Sequence, residues 1–357
     1  MGTNGAIIAS LQLDGFRSYN HESFEFSNGV NIIVGPNASG KSNLLEAILI
    51  VSRGNSYRAK DSEVVAFKRD TARLEATMSD NSQRIVQLTK EGEVIQKQFK
   101  IDSQTLKRLN INKTLPCVVF EPNHLLILNG SPVLRRKYLD DLLEQTEPGY
   151  STTRRQYLRS LAQRNFLLKS GHHSKPGSIF AWNVRLSELG GKIAQHRITL
   201  INEINNKVQK RYRLLSDSRE NIALEYKTNF SFNSYASELL RKLETNEDDD
   251  FRRGFTPYGP HHDDLVVYID NHPVQQSASR GESRTIMLVF KIIEADIIEN
   301  VRGKKPLLLL DDVFSELDGA RRKALTKFLQ PFQAFITTTD ADIVLHHFGD
   351  KANIIPL

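Results

Sequence analysis

Apolar and polar positions alternate from Ile8 to Leu13, and a short apolar run covers Val30 to Val34. Both patterns predict strands. Alternation returns at Leu74, Ala76 and Met78, then in two runs flanking Glu91-Gly92, which predicts an antiparallel hairpin. Leu115 to Phe120 reads as a further apolar strand. From about Val133 the period lengthens. Tyr138, Leu139, Leu142 and Leu143, then Leu158, Leu161, Phe166 and Leu167, then Ile179 through Leu215 recur at helical spacing, with Gly171 to Gly177 as a break. Strands are predicted again at Leu265 to Ile269, Pro306 to Leu310 and Ala334 to Thr338, with helices at Ser283 to Asn300 and Gly319 to Leu329. The pattern predicts an α/β domain with a mixed sheet, interrupted by a mainly helical lobe and then completed. The expected boundaries are 1–120 for the first part, 121–254 for the lobe and 255–357 for the second part. The sequence contains no internal repeat or low-complexity segment, and its helical stretches are too short for a long coiled coil.

The length of 357 residues suits two domains, and 39% apolar with 25% charged residues excludes wholesale disorder and collagen-like architectures. A single cysteine, Cys117, excludes an intramolecular disulfide framework and any CxxC zinc or redox site, and fits a reducing cytoplasm. Met1 to Phe16 lacks the basic and apolar regions of a signal peptide, and no apolar run approaches about 18 residues, so neither secretion nor membrane spanning is expected. The net charge of +6 is unevenly spread. Between Leu134 and Leu214 stand 16 Lys and Arg against 6 Asp and Glu, an excess of ten that leaves the remainder at −4. This segment would attract a polyanion such as nucleic acid, although a solvated helical surface explains the charge equally well. The acidic run Glu247-Asp248-Asp249-Asp250 is expected to be a loop rather than a metal site.

Gly35-Pro36-Asn37-Ala38-Ser39-Gly40-Lys41-Ser42 has the spacing G-x-x-x-x-G-K-[ST], between the predicted strand Asn31 to Val34 and an apolar helical run from Asn43 to Leu49. The glycines let the backbone curl so that successive N–H groups and the positive end of the following helix face one phosphate. Lys41 is expected to reach the β- and γ-phosphates, and the Ser42 hydroxyl to ligate Mg2+. Leu307 to Leu310 is a continuous apolar run, as in a buried parallel strand, and ends in Asp311-Asp312. At the carboxyl end of such a strand Asp311 is assigned to the Mg2+ shell and Asp312 to orienting or deprotonating the attacking water.

Ser277 to Arg284 precedes an amphipathic helix with Met287, Leu288, Phe290, Ile292 and Ile293, roughly 25 residues ahead of the acidic strand. Here the chain resembles the ATP-binding-cassette superfamily, in which the signature segment of one protomer covers the ATP held by the phosphate loop of another. The resemblance implies an ATP-dependent homodimer with Ser279, Arg280 and Gly281 at the γ-phosphate. Ser315-Glu316-Leu317-Asp318 resembles the D-loop and places Asp318 at the nucleotide. About 240 residues separate the phosphate loop from the signature. That is too long for a transporter subunit and too short for condensing proteins with long coiled coils.

Further segments narrow the resemblance. Phe16-Arg17-Ser18-Tyr19, Gly54 to Arg58, Phe120-Glu121-Pro122, Gly130 through Asp140, and Gly259-Pro260-His261-His262-Asp263-Asp264-Leu265 are similar, in order and spacing over essentially the whole chain, to segments of the RecF family of bacterial recombination mediators. The family implies a DNA-binding ATPase with an ABC-type head, acting on double-stranded DNA at gaps with RecO and RecR and helping to load a recombinase during repair of stalled replication. Several features bear on the ATPase. Arg280 and Glu282 stand where the family often has Gln, so Arg280 offers a trans-acting cation while Glu282 opposes phosphate unless it pairs with Arg284 or turns outward. Thr337-Thr338-Thr339-Asp340 stands where cassette transporters place a switch histidine, a replacement the RecF family shares, and no Q-loop glutamine is assigned. Slow hydrolysis used as a timer is expected, the alternative being a nucleotide-switched repair scaffold that does not hydrolyse. The pairs His172-His173, His261-His262 and His346-His347 do not have zinc spacing. Trp182 and Cys117 are expected to be packing residues.

Overall fold

A computed structural model describes residues 7–170, 179–216, 219–340, 346–348 and 352–357. The expectations for Gly171 to Gly177 and His172-His173 lie outside them. The chain divides into a head, Met1–His124 with Arg284–Leu357, and a lobe, Leu125–Ser283.

Among the described residues the head holds two sheets. The first is antiparallel, in the order Tyr19–Glu25, Ile8–Phe16, Thr71–Met78, Gln83–Glu91, Val94–Ile101, Gln104–Leu106. The hairpin expected at Glu91-Gly92 is its fourth and fifth strands. The second is parallel throughout, in the order Asn353–Pro356, Val30–Val34, Ala334–Thr338, Leu307–Asp311, Cys117–Phe120. Helix Lys41–Arg53 contributes Leu44, Leu45, Ile48 and Val51 to a core shared with Leu11 and Leu74 of the first sheet and Ile33 and Leu309 of the second. The amide of Gln333 ties the sheets: its Oε1 accepts from Ile8 N at 2.9 Å and its Nε2 donates to Ile8 O at 2.8 Å. Cys117 is buried, and burial pushes its thiol up to about 11, as suits a packing residue.

The lobe is built on helices Pro132–Thr146, Tyr150–Ser170 and Phe180–Ser216, the last of 37 residues. It also contains an antiparallel sheet of Ile222–Lys227, Asp264–Ile269 and His272–Pro273. Two expectations change here. Residues 255–283, expected in the second part of the head, belong to the lobe, because Asp264–Ile269 pairs along its length with Ile222–Lys227. The acidic run is not a loop: Glu247–Arg253 is a helix with all four carboxylates in its first turn, where the helix dipole favours them, and Gly254 ends it at φ 73°. Asp250 is buried there, 2.8 Å from the buried Arg164 guanidinium.

Much of the lobe's basic charge is spent internally. Arg135 forks onto Asp264 at 2.8 and 2.7 Å, and Arg197 forks onto Asp140 at 3.0 and 2.8 Å. Arg159, Lys169, Lys192, Lys210 and Arg213 remain exposed. No helix of the described residues is long and apolar enough to cross a membrane.

Candidate nucleotide-binding site

The parallel register decides the site. Thr338 lies beside Val34, Asp311 beside Thr337, and Leu310 beside Phe120, so the strand ends open on one edge of the sheet. Strand Val30–Val34 runs into the loop Gly35–Gly40, and helix Lys41–Arg53 starts directly after it. Ala38 takes φ 67° and Gly40 φ 107°, so the loop passes twice through the left-handed region. A Cβ on Gly40 would lie 2.8 Å from the Tyr19 hydroxyl, which donates to the Gly40 carbonyl at 3.0 Å. Only glycine fits there.

Lys41 Nζ donates to the carbonyls of Gly35 and Pro36 at 2.8 and 2.7 Å, which places its ammonium at the loop. Ser42 Oγ donates to Asp311 Oδ1 at 2.8 Å, joining two residues 269 positions apart. Thr337 Oγ1 donates to the same oxygen at 2.7 Å and accepts the Asp312 N–H at 2.9 Å. Asp312 itself turns off the strand at φ 51°, with Ser315 Oγ donating to its Oδ1 at 3.1 Å and its carbonyl at 2.8 Å. A hydroxyl and a carboxylate oxygen converging beside a phosphate loop are the hard donors Mg2+ takes, so Ser42 and Asp311 fit that ion.

Side chains to which the sequence assigns no role converge on Glu46 near the helix start. Glu46, one turn along helix Lys41–Arg53, is fully buried and accepts from Arg17 at 2.9 and 2.9 Å, from Arg58 at 3.0 Å and from Ser56 at 2.5 Å. Burial works to raise its pKa, but the two guanidiniums and the hydroxyl outweigh burial and hold it below the usual carboxylate value. Tyr57, on the same segment, has its phenol pushed up by burial and by the Asp311 carboxylate. Glu121 follows the strand that flanks Asp311's own. Three of the segments that resemble the RecF family, at Arg17, Arg58 and Glu121, therefore stand around the phosphate loop. The other two, at Arg135 and Asp264, meet each other in the lobe.

The signature residues stand in the lobe unit, at the start of helix Arg280–Arg302. Ser279 and Glu282 cap each other: Ser279 N donates to Glu282 Oε2 at 2.6 Å, and Glu282 N to Ser279 Oγ at 3.2 Å. This capping box turns Glu282 back on its own backbone. The Ser279 amide holds the carboxyl below its ordinary value. Arg280 is exposed. Asp318 is also a cap, accepting from Arg321 N at 2.9 Å at the start of helix Gly319–Leu329 and pairing with the Arg321 guanidinium.

The profile of the RecF/RecN/SMC N terminal domain matches residues 7–351. The DNA replication and repair protein RecF of Streptococcus pyogenes serotype M49 (strain NZ131) is 34% identical over 347 residues, covering 94% of this chain and 92% of that protein. The solved structure of the recombination mediator protein RecF-ATPrS in the RecFOR pathway matches with TM-score 0.85 at 31% identity, over 94% of this chain and 93% of that one. Its RecF-ATP counterpart matches at 0.84. An SMC head bound to the C-winged helix domain of ScpA matches with TM-score 0.53 at 16% identity, which speaks to the shared head fold alone. With a phosphate loop, an acidic strand and a capped signature helix laid out over a chain of matching length, this protein belongs to the RecF family of DNA replication and repair proteins.

Proposed function

We propose that the protein is a cytoplasmic, DNA-binding ATPase of recombinational repair and replication restart, in which ATP joins two copies on double-stranded DNA at gaps and slow hydrolysis releases them. The observation that carries this reading is Asp311, a strand-end carboxylate hydrogen-bonded to both Ser42 of the phosphate loop and Thr337 of the neighbouring strand. Lys41 exchanges its two loop carbonyls for β- and γ-phosphate oxygens, a change of partner that needs little movement. The loop from Gly35 to Gly40, apart from Pro36, which has no N–H, supplies backbone amides to the same phosphates. Bound Mg2+, held by Ser42 and Asp311, supplies charge neutralisation on the β- and γ-phosphates. Asp312, fixed by Ser315 and Thr337, orients the attacking water.

The signature of the second copy closes the site. Ser279, Arg280 and Gly281 present a hydroxyl, a cation and a helix N-terminus to the γ-phosphate, with Asp318 alongside. Glu282 gave reason to expect a scaffold that does not hydrolyse ATP. Its carboxylate is occupied by the Ser279 amide, which supports hydrolysis over the scaffold reading. The exposed cations of the lobe suit a DNA backbone. The RecFOR pathway named for the RecF-ATP structure supports RecO and RecR as partners.

Sedimentation with and without Mg-ATP tests the reading, with Ser279→Arg run alongside. A dimer that requires ATP and is lost in the variant is expected. A monomer indifferent to nucleotide overturns the clamp, and an ATP-dependent dimer whose turnover is unaffected by Asp312→Asn leaves only the scaffold.

A further inference from the structure

The lobe contains a cavity of about 290 Å³ that the reading above does not use. Four cations line it, Arg136, Lys137, Arg154 and Arg197, against one carboxylate, Asp140. Leu158 and Ile193 form an apolar wall.

Asp140 is already engaged. It accepts from Arg197 at 2.8 and 3.0 Å, from Arg154 at 2.8 Å and from the Tyr150 hydroxyl at 2.6 Å. Arg154 has a second carboxylate, Glu144 at 3.2 Å, and Arg197 also donates to the Pro260 carbonyl at 2.6 Å. These bonds fix two guanidiniums in place without a spare negative charge in the cavity. Arg136 is half-buried and donates only to a neutral group, the Asp263 carbonyl, at 2.9 Å. Burial and the nearby Arg197 cation lower the Arg136 pKa, against the opposing pull of the Asp264 and Asp140 carboxylates.

Tyr157 and His261 also line the cavity and add no charge. His261 Nε2 lies 3.0 Å from the Thr256 carbonyl, which only accepts, so that nitrogen carries the hydrogen. Nδ1 then accepts from the Tyr157 hydroxyl at 2.6 Å, and burial holds the ring's pKa down at about 4. The imidazole is neutral.

We infer that this cavity is a binding site for a phosphomonoester, the terminal phosphate of a nucleic-acid strand or of a free mononucleotide. Planar guanidiniums match phosphate oxygens in pairs, and a dianion gives Arg136 the anionic acceptor that its bond to the Asp263 carbonyl does not supply. The volume sits at the small end of the roughly 300–1,000 Å³ typical of ligand pockets, enough for a phosphate with its sugar against Leu158 and Ile193. A duplex does not enter a space of this size. The inference is independent of the phosphate loop, which lies in the other unit of the chain.

The test is calorimetric titration of the full-length protein, its phosphate loop saturated with a slowly hydrolysed ATP analogue and Mg2+. The titrants are inorganic phosphate, thymidine monophosphate, and one oligonucleotide with and without a 5′-phosphate. Binding of inorganic phosphate is expected, with at least a tenfold preference for the phosphorylated strand or tight binding of the mononucleotide, whichever is the source. Arg136→Gln removes that binding at least tenfold, and so does Lys137→Gln, an exposed position whose change leaves the Arg136–Asp263 contact in place. Lys304→Gln, an equal charge change at an exposed position of the head, leaves it intact. If the ATP analogue fails to bind, the contrast between Arg136→Gln and Lys304→Gln still reads the cavity alone. No heat with inorganic phosphate and equal affinity for the two oligonucleotides overturn the inference, as does a preference that survives in both variants.

Discussion

Thr337 Oγ1 donates to Asp311 Oδ1 at 2.7 Å and, with the same oxygen, accepts the Asp312 N–H at 2.9 Å. One buried hydroxyl thus sets the direction of both acidic residues, and strand register places it there. Thr337→Val keeps the shape and removes both bonds. The expected loss is about 1–3 kcal/mol of stability, the cost of leaving a buried amide unpaired. ATP turnover should fall at least about tenfold, equivalent to about 1.4 kcal/mol of barrier. Thr337→Ser restores both. Denaturation midpoints and steady-state hydrolysis check this, and wild-type turnover in Thr337→Val would remove the threonine from the mechanism.

The Glu46 cluster predicts an acid limb of stability. Because the folded carboxyl titrates below its unfolded value, its contribution is complete above the unfolded pKa of about 4.5 and fades as the pH falls through the lower folded one. Stability of the parent should therefore drop with falling pH below about 4.5. Glu46→Gln lacks that contribution, leaving Arg17 and Arg58 without their carboxylate. It should be less stable at neutral pH, with a shallower acid limb. Urea titrations from pH 3 to pH 7 on both proteins measure it, and parallel curves would contradict the assignment.

The Ser279–Glu282 box predicts a pattern across three substitutions. Glu282→Ala removes one cap and should cost about 0.5–2 kcal/mol. Glu282→Gln keeps an acceptor at the same position and should cost little, since glutamine serves in such boxes as well as glutamate. Ser279→Ala should match Glu282→Ala. Thermal unfolding of the three variants reads this order, and an equal loss in Gln and Ala variants would show that charge rather than capping matters at 282.

How far the sequence reads through to this structure depends on the range of each signal. The phosphate loop, its helix and the strand ending at Asp311 are local patterns, and each forms where its residues predict. What the sequence does not announce is register: nothing in Thr337 says that it lies beside Asp311, or in Arg17 that it reaches Glu46 across 29 residues. The strand Ile222–Lys227 alternates buried and exposed residues, but it follows a 37-residue helix and finds its partner only some 40 positions later. For the same reason the lobe boundary falls at Ser283 rather than near 254. Net charge misleads for a related cause. A count of Lys and Arg does not separate Arg135, Arg164 and Arg197, which are buried in ion pairs, from the exposed cations that meet solvent.

Those buried pairs make the lobe's stability testable on its own. Asp140 and Arg197 are 6% and 5% exposed at their side chains, so Asp140→Asn leaves a guanidinium charge in the interior with no carboxylate. Removing one partner of such a pair costs about 3–5 kcal/mol. With a urea slope of about 2 kcal/mol per molar, the midpoint should fall by about 2 M. The single tryptophan, Trp182, stands in helix Phe180–Ser216, and its fluorescence therefore follows the lobe. Glu144 offers the contrast, because its bond to Arg154 at 3.2 Å is between side chains 27% and 36% exposed. Glu144→Gln should cost no more than about 1 kcal/mol. If the two variants shifted the Trp182 transition equally, burial of the Asp140 pair would not be what holds the lobe together.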